Sequence, residues 1–153
     1  MRIGLISDTH GLLRPEALAA LHGCEAIVHG GDIGDAAILE RLSALAPVHA
    51  VRGNNDTGAW AAALPERLDL CFGGVRVHVV HDLKELGGAL PPHAQVVVSG
   101  HSHRPKVEER DGVLLVNPGS AGRRRFSLPV SVAWLEVDGD AASARIEVLS
   151  IPR

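Results

Sequence analysis

Seven polar residues break into apolar stretches of this 153-residue chain, and each is of a type that binds divalent metal ions. They are Asp8 and His10 in "ISDTH", Asp32 in "HGGD", Asn54 in "RGNND", His81 in "VVHD", and His101 and His103 in "SGHSH". Carboxylate, imidazole and amide oxygen without thiolate suit borderline ions such as Mn, Fe, Co or Zn, whereas histidine disfavours pure magnesium or calcium sites. Seven donors are too many for one such ion. With one carboxylate bridging, two ions about 3.5–4 Å apart would each receive four protein ligands, an arrangement that serves in-line displacement at phosphorus.

Elements must bring these scattered residues together. The first half alternates: "RIGLIS" (Arg2 to Ser7) reads as a strand, "RPEALAALHG" as a helix with proline near its start and glycine after it, "EAIVHGGD" as a strand, "DAAILERLSAL" as an amphipathic helix and "PVHAVRGNND" as a third strand. That alternation implies a parallel sheet with right-handed crossovers. The second half is richer in strands: a hairpin around Gly73-Gly74, a buried strand in "AQVVVSGH", a pair joined at Asp111-Gly112, and a last hairpin around Asp138-Gly139-Asp140. The expected fold class is α/β, a four-layer αββα sandwich of two packed mixed β-sheets flanked by helices. Every one of the seven residues follows an apolar run, and the carboxyl ends of parallel strands meet at the edge where such sheets bind ligands. Gly30-Gly31, Gly53 and Gly100, each beside a candidate ligand, permit sharp turns and close backbone approach.

Composition sets the bounds. The chain fits one domain, residues 1–153, large enough to bury a core without disulfides or a structural metal. Its apolar runs are far below the ~20 residues that span a bilayer. "MRIGLISDTHG" lacks the long apolar segment of a signal peptide, so a cytoplasmic location is expected. Cys24 and Cys71 form no C-x-x-C pair and are expected to be buried reduced thiols. A net charge of −3 with few aromatics argues against nucleic acid as a partner. The one basic cluster, Arg123 to Arg125 in "GRRRF", is expected to be a solvated loop, with contact to a substrate anion as the sharper alternative.

In order and spacing, "DTH", "GGD", "GNND", "VVHD" and "GHSH" resemble the five motifs of the calcineurin-like metallophosphoesterases. Short length and "VNPGSAGRRR" are similar to the small prokaryotic phosphodiesterase branch, which shares its fold with a eukaryotic retromer subunit. The resemblance implies one metal on Asp8, His10, Asp32 and His103 and another on Asp32, Asn54, His81 and His101, with Asp32 as the bridge. It also implies hydrolysis of small phosphodiesters by a hydroxide carried on the two ions, manganese first among Mn, Fe, Zn, Co and Ni. Two readings of other classes stand beside it: a protein-binding scaffold of the same fold with a weakened metal site, and a metal-dependent nuclease. Self-association is left open.

Where many relatives have histidine after the metal-binding asparagine, this chain has Asn55. Asparagine can hydrogen-bond a phosphate oxygen but cannot serve as a general acid, which favours substrates with good leaving groups. Asn55, as a phosphate contact, joins Asp32 and His101 as the candidate catalytic residues. His29 reads equally as support for Asp32 or as an ordinary strand-end histidine, Asp35 as a helix cap, and Asp56 as an acid that steadies a loop. His22, His49, His78 and His93 are assigned surface or structural roles, Trp60 packing, and "NPGS" (Asn117 to Ser120) a plain turn.

Overall fold

The computed structural model describes residues 1–125 and 127–152; Phe126, at the end of the basic cluster, and Arg153 lie outside the described residues. Its strands form two five-stranded sheets. In the first, β1 (Arg2–Ile6), β2 (Ala26–His29) and β3 (Val48–Ala50) run parallel, and β9 (Ser131–Asp138) and β10 (Ala141–Val148) continue the sheet antiparallel beyond β1. The second takes the order β4 (Arg67–Phe72), β5 (Val75–Val80), β6 (Val96–Val98), β8 (Val113–Asn117), β7 (Lys106–Arg110), with β5, β6 and β8 parallel. The two hairpins read around Gly73-Gly74 and Asp111-Gly112 are β4–β5 and β7–β8.

Alternation along β1 explains the layers, since successive side chains of a strand point to opposite faces. Ile3 and Leu5 enter the core between the sheets, where Val28 and Val51 meet Val77, Val79, Val96 and Val98 of the second sheet. Ile6 faces the other way, into a cluster with Ala17, Leu21, Ile38 and Leu42 contributed by and around α1 (Pro15–Ala20) and α2 (Ala36–Ser43). Gly4 shares that face, and a Cβ there would stand 2.7 Å from Leu21 Cδ2, so its bareness lets the helical layer approach. Proline opens α1, and the Asp35 carboxylate accepts from Ala37 N–H at 2.9 Å to cap α2. The short α3 (Ala59–Ala62) carries Trp60 onto the same helix-side core, the packing role expected of it.

The outer layer over the second sheet is thin. Val80, Val97 and Leu115 are covered by a 3₁₀ turn, Leu83–Leu86, and by Leu90 and Ala94 of the loop that follows, in place of a full helix. The expected third strand also shortens to Val48–Ala50, because the chain then bends toward the loop after β2. Cys24 is buried as expected, but Cys71 is exposed: it lies on the outward phase of β4, an edge strand. Among the described residues no helix is long and apolar enough to cross a membrane.

Leu5 is fully buried at the centre of the inter-sheet core. Leu5→Ala is expected to lower unfolding stability by about 2–5 kcal/mol, measured by urea denaturation of metal-free protein.

Candidate metal centre

The ends of β1 and β2 leave the first sheet side by side. Asp8 N–H donates to Gly31 O (3.0 Å), His10 N–H to Asp32 O (2.9 Å) and Gly11 N–H to Ile33 O (2.8 Å), so the two loops continue the pairing of their strands. From the second sheet, β5 delivers His81 and β6 delivers His101 and His103, with Gly100 N–H donating to His81 O at 2.9 Å. The carboxyl ends of strands from both sheets therefore meet, and two groups of donors form there: Asp8, His10 and His103, and Asp32, His81 and His101. Six of the seven expected ligands are brought together. Asn54 lies exposed on the turn after β3.

Asp32 lies between the groups. Its Oδ2 is 3.7 Å from His10 Nε2 and 3.2 Å from His81 Nε2. In the first group, Asp8 Oδ1 is 3.6 Å from His10 Nε2 and 3.4 Å from His103 Nε2, and these two nitrogens face each other at 3.2 Å. Asp8 Oδ2 is occupied by the Ser7 hydroxyl (2.7 Å) and the His101 N–H (3.0 Å), which leaves Oδ1 for the centre. His81 donates from Nδ1 to Gly30 O at 2.7 Å, so its Nε2 is directed at Asp32.

Backbone conformation sets these side chains apart from their surroundings. Asp8, His10, Asp32, His101 and His103 have φ of 53°, 46°, 55°, 72° and 62°, a left-handed conformation that L residues seldom adopt and that clusters at functional sites. Among the described residues only His93 and Asp111 share it outside glycine. Two glycines make room. Gly31, itself at φ 100°, would place a Cβ 2.7 Å from His81 Nδ1, and a Cβ on Gly53 would collide with the backbone and carboxylate of Asp32.

The residues present fit divalent cations. Asp8 Oδ1 and His81 Nε2, both turned toward the centre, are buried without hydrogen-bond partners, and unsatisfied polar atoms there are costly unless something charged joins them. His81 Nε2 and Asp32 Oδ2 approach to 3.2 Å, an ion-pair distance. Electrostatics agree. Burial, the largest influence on His81, opposes its proton, yet Asp32, Gly30 O and Asp8 outweigh it and push the pKa up to about 9. Burial likewise works to raise Asp32, but His81, the Asn55 N–H and His10 draw it down to about 2. Burial foremost, with Arg125 and His10 adding to it, holds His103 below the ordinary imidazole range against the pull of Asp8.

Supporting residues sort the sequence expectations. Asn55 donates to Asp32 twice, from N–H to Oδ1 (2.9 Å) and from its amide to Oδ2 (3.2 Å). His29 accepts from Gly31 N–H at Nδ1 (3.1 Å), which leaves Nε2 protonated and donating to the Thr9 hydroxyl (3.1 Å), and Thr9 donates to Ile33 O (2.8 Å). It thus ties the two ligand-bearing loops together. Asp56 accepts from Gly34 N–H (3.0 Å) and Gly53 N–H (2.9 Å), joining the turn after β3 to the loop after β2. His78 is buried and pairs with Asp69 at 2.8 Å, a structural role away from the centre. Three residues escaped the sequence reading. Asp82 Oδ2 lies 3.6 Å from His101 Nε2; Ser120 donates to Asp8 O (2.9 Å); and Asn117, more than a turn residue, donates to Gly100 O (3.0 Å) and Ser102 Oγ (3.1 Å). Asp82 directly follows His81, and adjacency to a candidate ligand was the signal available. Arg123 to Arg125 are exposed, and Arg125 is close enough to His103 to act on its charge.

Strand ends of the two sheets thus converge on carboxylates and imidazoles, a donor set for divalent metal. Residues 1–140 match the calcineurin-like phosphoesterase superfamily domain, and the chain belongs to that family. A probable metallophosphoesterase of Methanothermobacter thermautotrophicus is 37% identical, with 95% of this chain and 91% of that protein covered. Phosphodiesterase YfcE of Escherichia coli strain K12 is 29% identical over 90% of this chain and 89% of its own. Vps29 of Chaetomium thermophilum superposes with a TM-score of 0.77 at 20% identity over 96% of each chain, a likeness of fold alone.

Two outcomes follow from the titrating groups. With His81 protonated when metal-free, manganese loading at pH 7.5 is expected to release about one proton per protein, read by calorimetry in buffers of differing ionisation enthalpy. His29 behaves oppositely: burial above all lowers it to about 4 against the pull of nearby carboxylates, so the folded state refuses a proton that the unfolded chain binds. Its contribution is complete above the unfolded pKa and is lost as pH falls from about 6.5 to about 4, a span worth roughly 3 kcal/mol. The stability gap between wild type and His29→Gln, from urea midpoints, is therefore expected to be larger at pH 7 than at pH 4.5.

Proposed function

We propose that this protein is a metal-dependent phosphodiesterase that hydrolyses small phosphodiesters at a two-metal centre, manganese being the first candidate. The observation that carries this reading is the meeting of two buried carboxylates and four imidazoles from both sheets in two adjoining groups, with Asp8 Oδ1 and His81 Nε2 left without hydrogen-bond partners. The names of two relatives, a probable metallophosphoesterase and a phosphodiesterase, support it.

Asp8, His10, Asp32 and His103 would hold one ion, and Asp32, Asn54, His81 and His101 the other. Bound there, two divalent ions supply activated water near neutral pH and stabilise charge on the nonbridging phosphoryl oxygens. The protein's own part is to keep the donors in place beforehand. Gly30 O fixes the His81 tautomer with Nε2 free, and Ser7 and the His101 N–H hold Asp8 so that one oxygen faces inward. Asn55 braces the shared carboxylate through two donated bonds, and its amide nitrogen carries a second N–H that would serve a phosphoryl oxygen. Because that amide gives up no proton, esters with good leaving groups are favoured over alkyl monoesters.

The alternative reading is a protein-binding scaffold of the same fold with a weakened metal site. Turnover decides between them: chelator-stripped protein reloaded with manganese is expected to cleave bis(4-nitrophenyl) phosphate, and absence of cleavage of any phosphorus ester would leave the scaffold. Asp32→Asn and His81→Ala are expected to lose at least about 100-fold in activity while still folding, since even partners that only orient metal ligands cost 10–100-fold.

A further inference from the structure

Beside His101, a cavity of about 360 Å³ opens between the chain that follows His81 and the β7–β8 hairpin. Leu83, Leu115 and Val116 give it an apolar lining, and Lys84, Arg104, Lys106 and Arg110 bring four cations. Glu108 engages two of these, Lys106 at 2.6 Å and Arg110 at 3.1 Å. Among the described residues neither Lys84 nor Arg104 joins an ion pair, and Asp82, the other acid of the lining, is turned to His101 at 3.6 Å. Four cations against two acids leave the cavity two positive charges, on a protein whose net charge is −3. Its shape is held: Asn117 donates to Gly100 O (3.0 Å) and Ser102 Oγ (3.1 Å), and Ser102 Oγ accepts the Arg104 N–H (3.2 Å), so the loop that carries His101 and Arg104 is braced from β8.

Pockets of about 300–1,000 Å³ that combine an apolar lining with a few fixed polar groups are the usual form of small-molecule sites. Because this one shares His101 and Asp82 with the metal centre, a phosphoryl group at the centre would extend one of its substituents into the cavity. We infer that the groove is the subsite for the organic arm of the ester and selects an arm that joins an apolar body to a second anionic group, received by Lys84 and Arg104. The inference rests on the phosphoesterase reading of the adjoining centre and adds the chemistry of what is attached to phosphorus.

Two diesters with the same 4-nitrophenolate leaving group test it: bis(4-nitrophenyl) phosphate, whose retained arm is uncharged, and 4-carboxyphenyl 4-nitrophenyl phosphate, whose retained arm carries a carboxylate. Manganese-loaded protein is expected to favour the carboxylated diester in kcat/KM by roughly tenfold, the scale of two solvent-exposed charge contacts. In Lys84→Gln/Arg104→Gln that ratio is expected to fall toward one, and added salt is expected to compress it in the wild type. A wild type that prefers the uncharged arm, or a double variant with an unaltered ratio, overturns the inference while leaving the phosphoesterase reading intact. If neither diester nor any other phosphorus ester is cleaved, the phosphoesterase reading fails and the groove is read by calorimetric titration with 4-carboxyphenyl phosphate and 4-nitrophenyl phosphate. Tighter binding of the carboxylated ligand, lost in the double variant, would sustain the subsite; equal binding would overturn it.

Discussion

Burying a carboxylate is unfavourable unless positive charge accompanies it, and this fold buries two at one place. Asp8 and Asp32 are 0% and 2% exposed, and the groups turned toward them are imidazoles, which supply positive charge only by holding a proton or by sharing a cation. Much of the surrounding architecture follows from that demand. Strands of both sheets stop where their next residues can reach the two carboxylates, and the loops beyond them are held in left-handed backbone that few side chains tolerate. A proton on His81 partly meets the demand; a dication meets it more fully, because it can be shared by both acids and several nitrogens at once.

Holding such loops requires a second set of bonds that never touches the metals. His29 stays neutral in a fully enclosed position and clamps the loops after β1 and β2. Asp56 clips the turn after β3 to the same region, and Ser120 reaches back to Asp8 O from the chain before β9. These contacts cross between segments distant in sequence, which is how a centre assembled from five loops keeps one geometry without a disulfide or a long connecting helix. The price of the strained backbone is thus met locally by polar clamps and more broadly by the two apolar cores.

The candidate ligands were legible in the sequence because their residue types contrast with the apolar strands that carry them, and because Asp8, Asp32, His81 and His101 each close such a run. Two sheets were legible from the switch between helix-spaced and alternating patterns at about the middle of the chain. Other features had no local signature. Left-handed φ at His10 or His103 is imposed by neighbours from other strands, so the residue type does not announce it. That the Asn55 amide also rests on Asp32 had no signature, because the contact depends on where the chain turns after β3. The thin cover over the second sheet follows from a glycine pair, Gly87 and Gly88, both at positive φ just after the 3₁₀ turn, where a helix would otherwise have continued. Cys71 was misplaced because an edge strand exposes one phase that a central strand would bury.

The short distance between strand ends and candidate ligands governs where the chain can change length. Parallel register places Ile6 opposite His29 and Val79 opposite Val98, and each candidate ligand of these four strands follows its strand within five residues. Side chains on a strand alternate faces, so deleting or inserting one residue in β1, β2, β5 or β6 would turn the donors beyond it away from the cations. Evolution by insertion is therefore directed to the stretch between Leu86 and Gln95 and to the tips of the hairpins, where added residues can vary what the surface recognises and leave the hydrolytic machinery in register.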